Sequence, residues 1–216
     1  MEVPNAFATI EQYLYRISSF DAYSLPFLRS LDLKTLVVLD SGTPAPLVRS
    51  FADENHIEVV HFGTEPWRSP SKIEHQQNHW MVLSEAMKYI LDVRNYPLLI
   101  LGSNILTGLV RKIQNYTLSA ILAEYNSISS IGTHVNMNYD GSIFLELVRL
   151  RYDKVENLPQ AVELENDRLY NTDEKTQCES ANNKKLAKHD LEVYIPVVVL
   201  ELPEPQFVPS WVNRFS

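Results

Sequence analysis

Leu98 to Leu101 (LLIL) is a wholly apolar run that passes through Gly102-Ser103-Asn104 straight into ILTGLVRKIQ. A run this short, with no polar alternation, suits a strand covered on both faces, as in the middle of a parallel sheet. The segment after it carries apolar residues at helical spacing, so the junction reads as a strand feeding directly into a helix. Upstream the same alternation recurs. Tyr13–Ile17, Lys34–Leu39 and Ile57–Phe62 read as strands. Between them, Leu25–Leu31 and Leu47–Asn55 read as helices, with Pro26 tolerable only in a first turn. A long helix follows over about Ile73–Val93, with Trp80, Leu83, Met87, Ile90 and Leu91 on one stripe. Thr117 or Ser119 can cap a further helix to about Ser127, and Asp140–Val148 a last one. The expected class is α/β, a central, mostly parallel sheet flanked by helices.

With 216 residues, 45% of them apolar, the chain can build a core without staples. Its character changes after residue 150. Sixteen of the forty residues from 151 to 190 are charged and no periodicity survives, so this stretch is expected to be a polar, flexible insertion. The β-favouring VYIPVVVLELP then suggests an edge strand, since Pro196 is awkward in a central one. Phe207, Trp211 and Phe215 form an aromatic tail expected to pack back on the domain. The organisation expected is therefore 1–150 as the main domain, 151–190 as the insertion, and 191–216 as a C-terminal strand and tail.

The net charge of −8 argues against nucleic-acid and anionic-membrane partners. No run of about 20 apolar residues suggests a membrane span. The start of the chain lacks the basic and apolar pattern of a secretory leader. The single cysteine, Cys178, cannot form an internal disulfide and lies in the polar insertion, where an activated thiolate is not expected. A cytoplasmic protein with no cofactor is the expectation.

Strand-to-helix junctions such as Gly102-Ser103-Asn104 present free amides and the positive end of a helix dipole, which favour an anion. Arg68 and Lys72, in the loop before the long helix, can complete such a site. Their plain alternative is a solvated loop, and that of Ser103 is a helix cap. Asp40 is either a pocket acid or a turn former with Ser41-Gly42, the turn being the preferred reading, and Glu65 faces the same choice, though a general acid without a nucleophile has little to do. His75 and His79 share a helix face at metal-ligand spacing, but HQQNH lacks the glutamate of a zinc-protease helix, so no metal is expected. His61 reads as a partly buried, satisfied histidine, and Arg111-Lys112 as surface salt-bridging residues.

The order YLYRISSF, LPFLRSLDLKTLVVL, ENHIEVVHFG, LDVRNYPLLI and GLVRKIQNYTLSAILAEYNSIS, spanning residues 12 to about 148, resembles the fungal and plant atypical dual-specificity phosphatases. That group contains the oxidant-induced cell-cycle-arrest proteins and inositol-pyrophosphate phosphatases. In its active members the resemblance implies a His-Cys pair, a five-residue turn, Arg and Thr-Gly after the strand. The thiolate attacks phosphorus, the turn amides cradle the phosphoryl oxygens, and the arginine grips two of them. Here LLILGSNILTGLV stands between Pro97 and Arg111, a shorter segment with no cysteine and no arginine. Aligned so that the helix keeps its register, Gly102 alone remains where the catalytic turn would lie, and Thr107-Gly108 falls inside the helix. The alternative alignment keeps Thr107-Gly108 as the family pair at the cost of a helical turn. The shortened loop resembles the branch of the cell-cycle-arrest proteins often numbered fourth. On this basis no catalytic residue is expected. Gly102, Ser103, Asn104, Arg68 and Lys72 make at most a vestigial anion site. The function expected is that of a pseudophosphatase, an interaction or regulatory subunit working with related phosphatase-family proteins in stress and inositol-pyrophosphate signalling. Two alternatives remain open: a sensor for a phosphorylated small molecule, and a phosphatase with an atypical site.

Overall fold

The computed structural model describes residues 2–39, 42–63, 73–129, 139–152 and 196–212. Among these residues, five strands form the main sheet: β1 Ala8–Glu11, β2 Leu14–Ile17, β3 Thr35–Leu39, β4 Glu58–Phe62 and β5 Leu98–Leu101. Their order is β1-β2-β5-β3-β4. Only the β1–β2 hairpin is antiparallel; β5 runs parallel to β2 and β3, and β3 parallel to β4. The helices are α1 Leu25–Arg29, α2 Pro46–Glu54, α3 Ile73–Ile90, α4 Asn104–Ile113, α5 Leu118–Ser129 and α6 Tyr139–Leu147.

Strand alternation divides the apolar residues between two cores. On β5, Leu98 and Ile100 join Val37 and Leu14 under α3, α4 and α5, while Leu99 joins Leu36 and Val38 under α1 and α2. Leu98, Leu99 and Ile100 are fully buried, which is why this strand carries no polar residue. Pro26 and Pro46 sit in first turns, where a missing N–H costs nothing. The Thr117 hydroxyl accepts from the Ala120 N–H at 3.4 Å and caps α5.

Three elements differ from the sequence reading. The hairpin strand β1 (ATIE) is too short and mixed to stand out, and it closes one edge of the sheet beside β2. The long helix stops at Ile90, because the Asp92 side chain accepts from the Arg94 N–H at 2.9 Å and starts a 3-10 turn. The VVVL segment does not extend the main sheet. As β7 (Val197–Leu200) it pairs in parallel with β6 (Arg149–Tyr152) in a separate two-stranded ribbon. β6 therefore includes Arg151 and Tyr152, which the composition had assigned to the insertion. The ribbon is fixed to α3, where the Val199 N–H donates to Ser84 Oγ at 3.0 Å and Lys88 meets Glu201 at 2.9 Å. Val198, Leu200, Trp211 and Val212 are buried in the larger core.

Candidate functional site: the β5–α4 junction

Between the last residue of β5, Leu101, and the first of α4, Asn104, stand Gly102 and Ser103. Gly102 has φ +79°, a left-handed conformation that side chains disfavour, and this lets the chain turn at once into the helix. Its N–H donates to Ile17 O at 3.0 Å, tying the turn to the end of β2. Ser103 is buried. Its Oγ accepts from the Leu106 N–H at 3.2 Å, and its carbonyl accepts from Thr107 Oγ1 at 3.5 Å. The hydroxyl is thus engaged as an N-cap, the role its place in the sequence suggested. Two residues extend about 7 Å at most, and the Gly102 N–H is already given to Ile17 O, so the turn itself offers only the amide of Ser103 and whatever the first turn of α4 leaves open.

Thr107 and Gly108 lie in mid-helix, as in the alignment that preserves helix register. Gly108 is set by packing. A Cβ there would come within 2.6 Å of Leu145 Cδ2 on α6, so the glycine lets two helices approach closely.

Of the residues expected at the anion site, the structure describes Gly102, Ser103 and Asn104. Gly102, Ser103 and Asn104 are contiguous at the carboxyl end of the central strand, the usual ligand position in open α/β sheets. Arg68, Lys72, Glu65, Asp40 and Cys178, and the side chains of His75 and His79, lie outside the described residues. So do residues 153–195, which hold most of the expected insertion. His61 is on the edge strand β4, on the same face as Val59, and is exposed rather than partly buried. Among the described residues no group of three or more His, Cys, Asp or Glu could hold a metal ion. Nor is any described helix long and apolar enough to cross a membrane. A cavity of about 400 Å³ does exist, but Tyr13, Tyr96, Pro97, Pro209 and Trp211 line it. It therefore opens at the amino end of β5, away from the junction.

Sequence reasoning missed a polar cluster beneath α4 and α5. Arg111 is not a surface residue. Its Nε donates to Glu124 at 2.8 Å, its Nη1 to Gln114 Oε1 at 2.9 Å and to Ile10 O at 3.3 Å, and its Cζ lies 4.9 Å from the Tyr116 ring centre. Arg16 on β2 meets the same Glu124 at 3.4 Å, with the three side chains 11%, 12% and 23% exposed. The Arg16 Nε and Nη1 are buried without a hydrogen-bond partner. Burial lowers the Arg16 pKa, and the charge of Arg111 lowers it further against the opposing pull of Glu124. Lys112 is likewise inward, donating to Val148 O at 2.7 Å, with its pKa pulled down by burial. One signal was available: Arg111 falls on a helix otherwise dominated by buried apolar residues.

A family model described as "Tyrosine phosphatase family" matches residues 2–162. The chain is 29% identical over 168 residues to the probable tyrosine-protein phosphatase DG1060 of Dictyostelium discoideum, covering 73% of this chain and 93% of that one. It is 31% identical over 139 residues to the inositol diphosphatase DSP4 of Arabidopsis thaliana, covering 62% and 68%. It is 30% identical over 133 residues to the putative tyrosine-protein phosphatase OCA1 of Yarrowia lipolytica, covering 56% and 49%. The fold is similar to that of the core catalytic domain of the PP-IP phosphatase SIW14 from S. cerevisiae, with a TM-score of 0.54 and 24% identity over 67% of this chain and 86% of that one.

Proposed function

The chain belongs to the tyrosine phosphatase family, and from that premise we propose that it keeps the family fold without hydrolysing phosphate esters. It acts instead as an interaction or regulatory subunit alongside related phosphatase-family proteins in the cytoplasm, in signalling connected with oxidative stress and inositol pyrophosphates. The branch of the cell-cycle-arrest proteins with a shortened phosphate loop is the group it fits best. The observation that carries the reading is the junction: two residues separate β5 from α4. The hydroxyl at that place is buried and already accepts the Leu106 N–H. A cysteine-dependent phosphatase needs a thiolate held over several convergent amides and an arginine fork for the phosphoryl oxygens. Neither residue type occurs between Pro97 and Arg111. The relatives' names support the signalling context: one is an inositol diphosphatase, another carries the OCA1 name.

A sensor of a phosphorylated small molecule is the second reading, favoured by the position of α4's amino end beyond the carboxyl end of β5. Without an arginine in the junction its affinity would be low. The test is to incubate the full chain with an aryl phosphate and with an inositol pyrophosphate, and to isolate tagged chain from native cells. No turnover together with co-purifying phosphatase-family proteins supports the proposal. Turnover abolished by Ser103→Ala, in protein that remains folded, overturns it. Saturable binding without turnover supports the sensor.

A further inference from the structure

Among the described residues, the β6–β7 ribbon leaves the outer edge of β6 without a strand neighbour. On the far side of β7, the Val199 N–H is taken by Ser84 of α3, whereas β6 has β7 as its one strand neighbour among the described residues. Backbone groups alternate sides along a strand. The Arg149 N–H donates to Pro196 O at 2.9 Å, toward β7, so the N–H and C=O groups of Leu150 and Tyr152 point to the open edge. Every residue of β6 is exposed or half-buried.

The side chains divide by register. Arg149 and Arg151 pair with Val197 and Val199 and share their outward face; Leu150 and Tyr152 pair with Val198 and Leu200, which are wholly buried. No ion pair among the described residues involves Arg149 or Arg151, although the chain carries a net charge of −8. Just before the strand, Ile143 and Leu147 lie one helical turn apart on α6 at 39% and 36% exposure, and Tyr152 at the strand's end is 44% exposed. An open strand edge is a template for another chain. Self-pairing would bring four guanidinium groups to one seam, which like-charge repulsion opposes.

We propose that the open edge of β6 is a docking site for an extended segment of a partner protein in which acidic and apolar residues alternate. The segment adds a third strand to the ribbon through the Leu150 and Tyr152 backbone groups. Its carboxylates stand over Arg149 and Arg151, and its apolar residues lie on the side of Leu150 and Tyr152. The site is separate from the β5–α4 junction and stands whether or not the chain hydrolyses a phosphate ester.

The test is residue-resolved amide exchange on the full chain, with a synthetic peptide of alternating Glu and Val as probe and Lys–Val and Gln–Val peptides as controls. In dilute protein the Leu150 and Tyr152 amides should exchange freely, and the Glu–Val peptide should protect them saturably. The Arg149→Glu/Arg151→Glu variant should bind that peptide at least about tenfold more weakly and bind the Lys–Val peptide instead, with an unchanged melting curve. Protection already present in the dilute free chain would mean that a segment of the same chain occupies the edge, and would overturn the proposal. Protection that grows with protein concentration would assign the edge to a second copy, with the same consequence. No protection by any peptide, or equal protection by all three, also overturns it.

Discussion

Glu124 serves two guanidinium groups at once, and this makes the three members of the cluster unequal. Removing its charge by Glu124→Gln leaves Arg16 and Arg111 about nine-tenths buried with no carboxylate between them. Arg111 would still hold Gln114 and Ile10 O, whereas Arg16 already has two nitrogens without partners. Breaking a buried ion pair by deleting one partner costs about 3–5 kcal/mol. Because Glu124 is about a quarter exposed, the lower end, about 3 kcal/mol, is the expected loss. Arg16→Met removes a charge that is poorly satisfied and repelled by Arg111, while Glu124 keeps its 2.8 Å bond to Arg111. Replacing a buried ionic group by an apolar side chain of similar volume is often neutral or stabilising, so Arg16→Met should change stability by no more than about 1 kcal/mol. The assay is urea unfolding followed by circular dichroism, with both variants measured at one salt concentration and with unchanged m-values. Equal losses for the two variants, or a larger loss for Arg16→Met, would refute the reasoning. That result would mean the Arg16 nitrogens have partners, such as bound water, that make its charge well solvated.

Ser103→Ala should cost about 1 kcal/mol through loss of the α4 cap, read by the same unfolding assay, with no catalytic consequence. Asp92 adds a pH dependence. The Arg94 guanidinium, 2.6 Å away, holds its carboxyl below the usual carboxylate range. A carboxylate lowered in the folded state contributes stability above the ordinary value of about 4 and loses it as pH falls further, through the folded pKa. Asp92→Asn should therefore flatten the decline in stability below about pH 4; an acid limb identical to that of the parent protein would count against the pairing.

Much of the fold was legible in the sequence because the informative segments are buried on both sides. Leu98–Leu101 reads as a strand because its side chains must satisfy two cores, and α4 follows from the run of Ile105, Leu106, Leu109, Val110 and Ile113. The junction was legible for the same reason: with the strand and the helix register fixed, little chain remained between them. The polar contacts were not legible. Gln114 donates to Glu11 at a separation of 103 residues and Arg111 to Ile10 at 101, and no local pattern encodes partners so far apart. In isolation Arg111-Lys112 resembles any basic pair on a helix, and only the β1–β2 hairpin lying beside α4 turns Arg111 inward. β6 was missed because RLRY is short and charged, a strand whose outward face carries the polar residues and whose inward face is only half covered.

The account rests on the shortness of the link between β5 and α4, and a single-turnover experiment tests it most directly. The 216-residue chain in molar excess over an inositol pyrophosphate should release no more phosphate than buffer alone over many hours. Release of a stoichiometric equivalent, lost on substituting Ser103 or Cys178 in protein that stays folded, would contradict it.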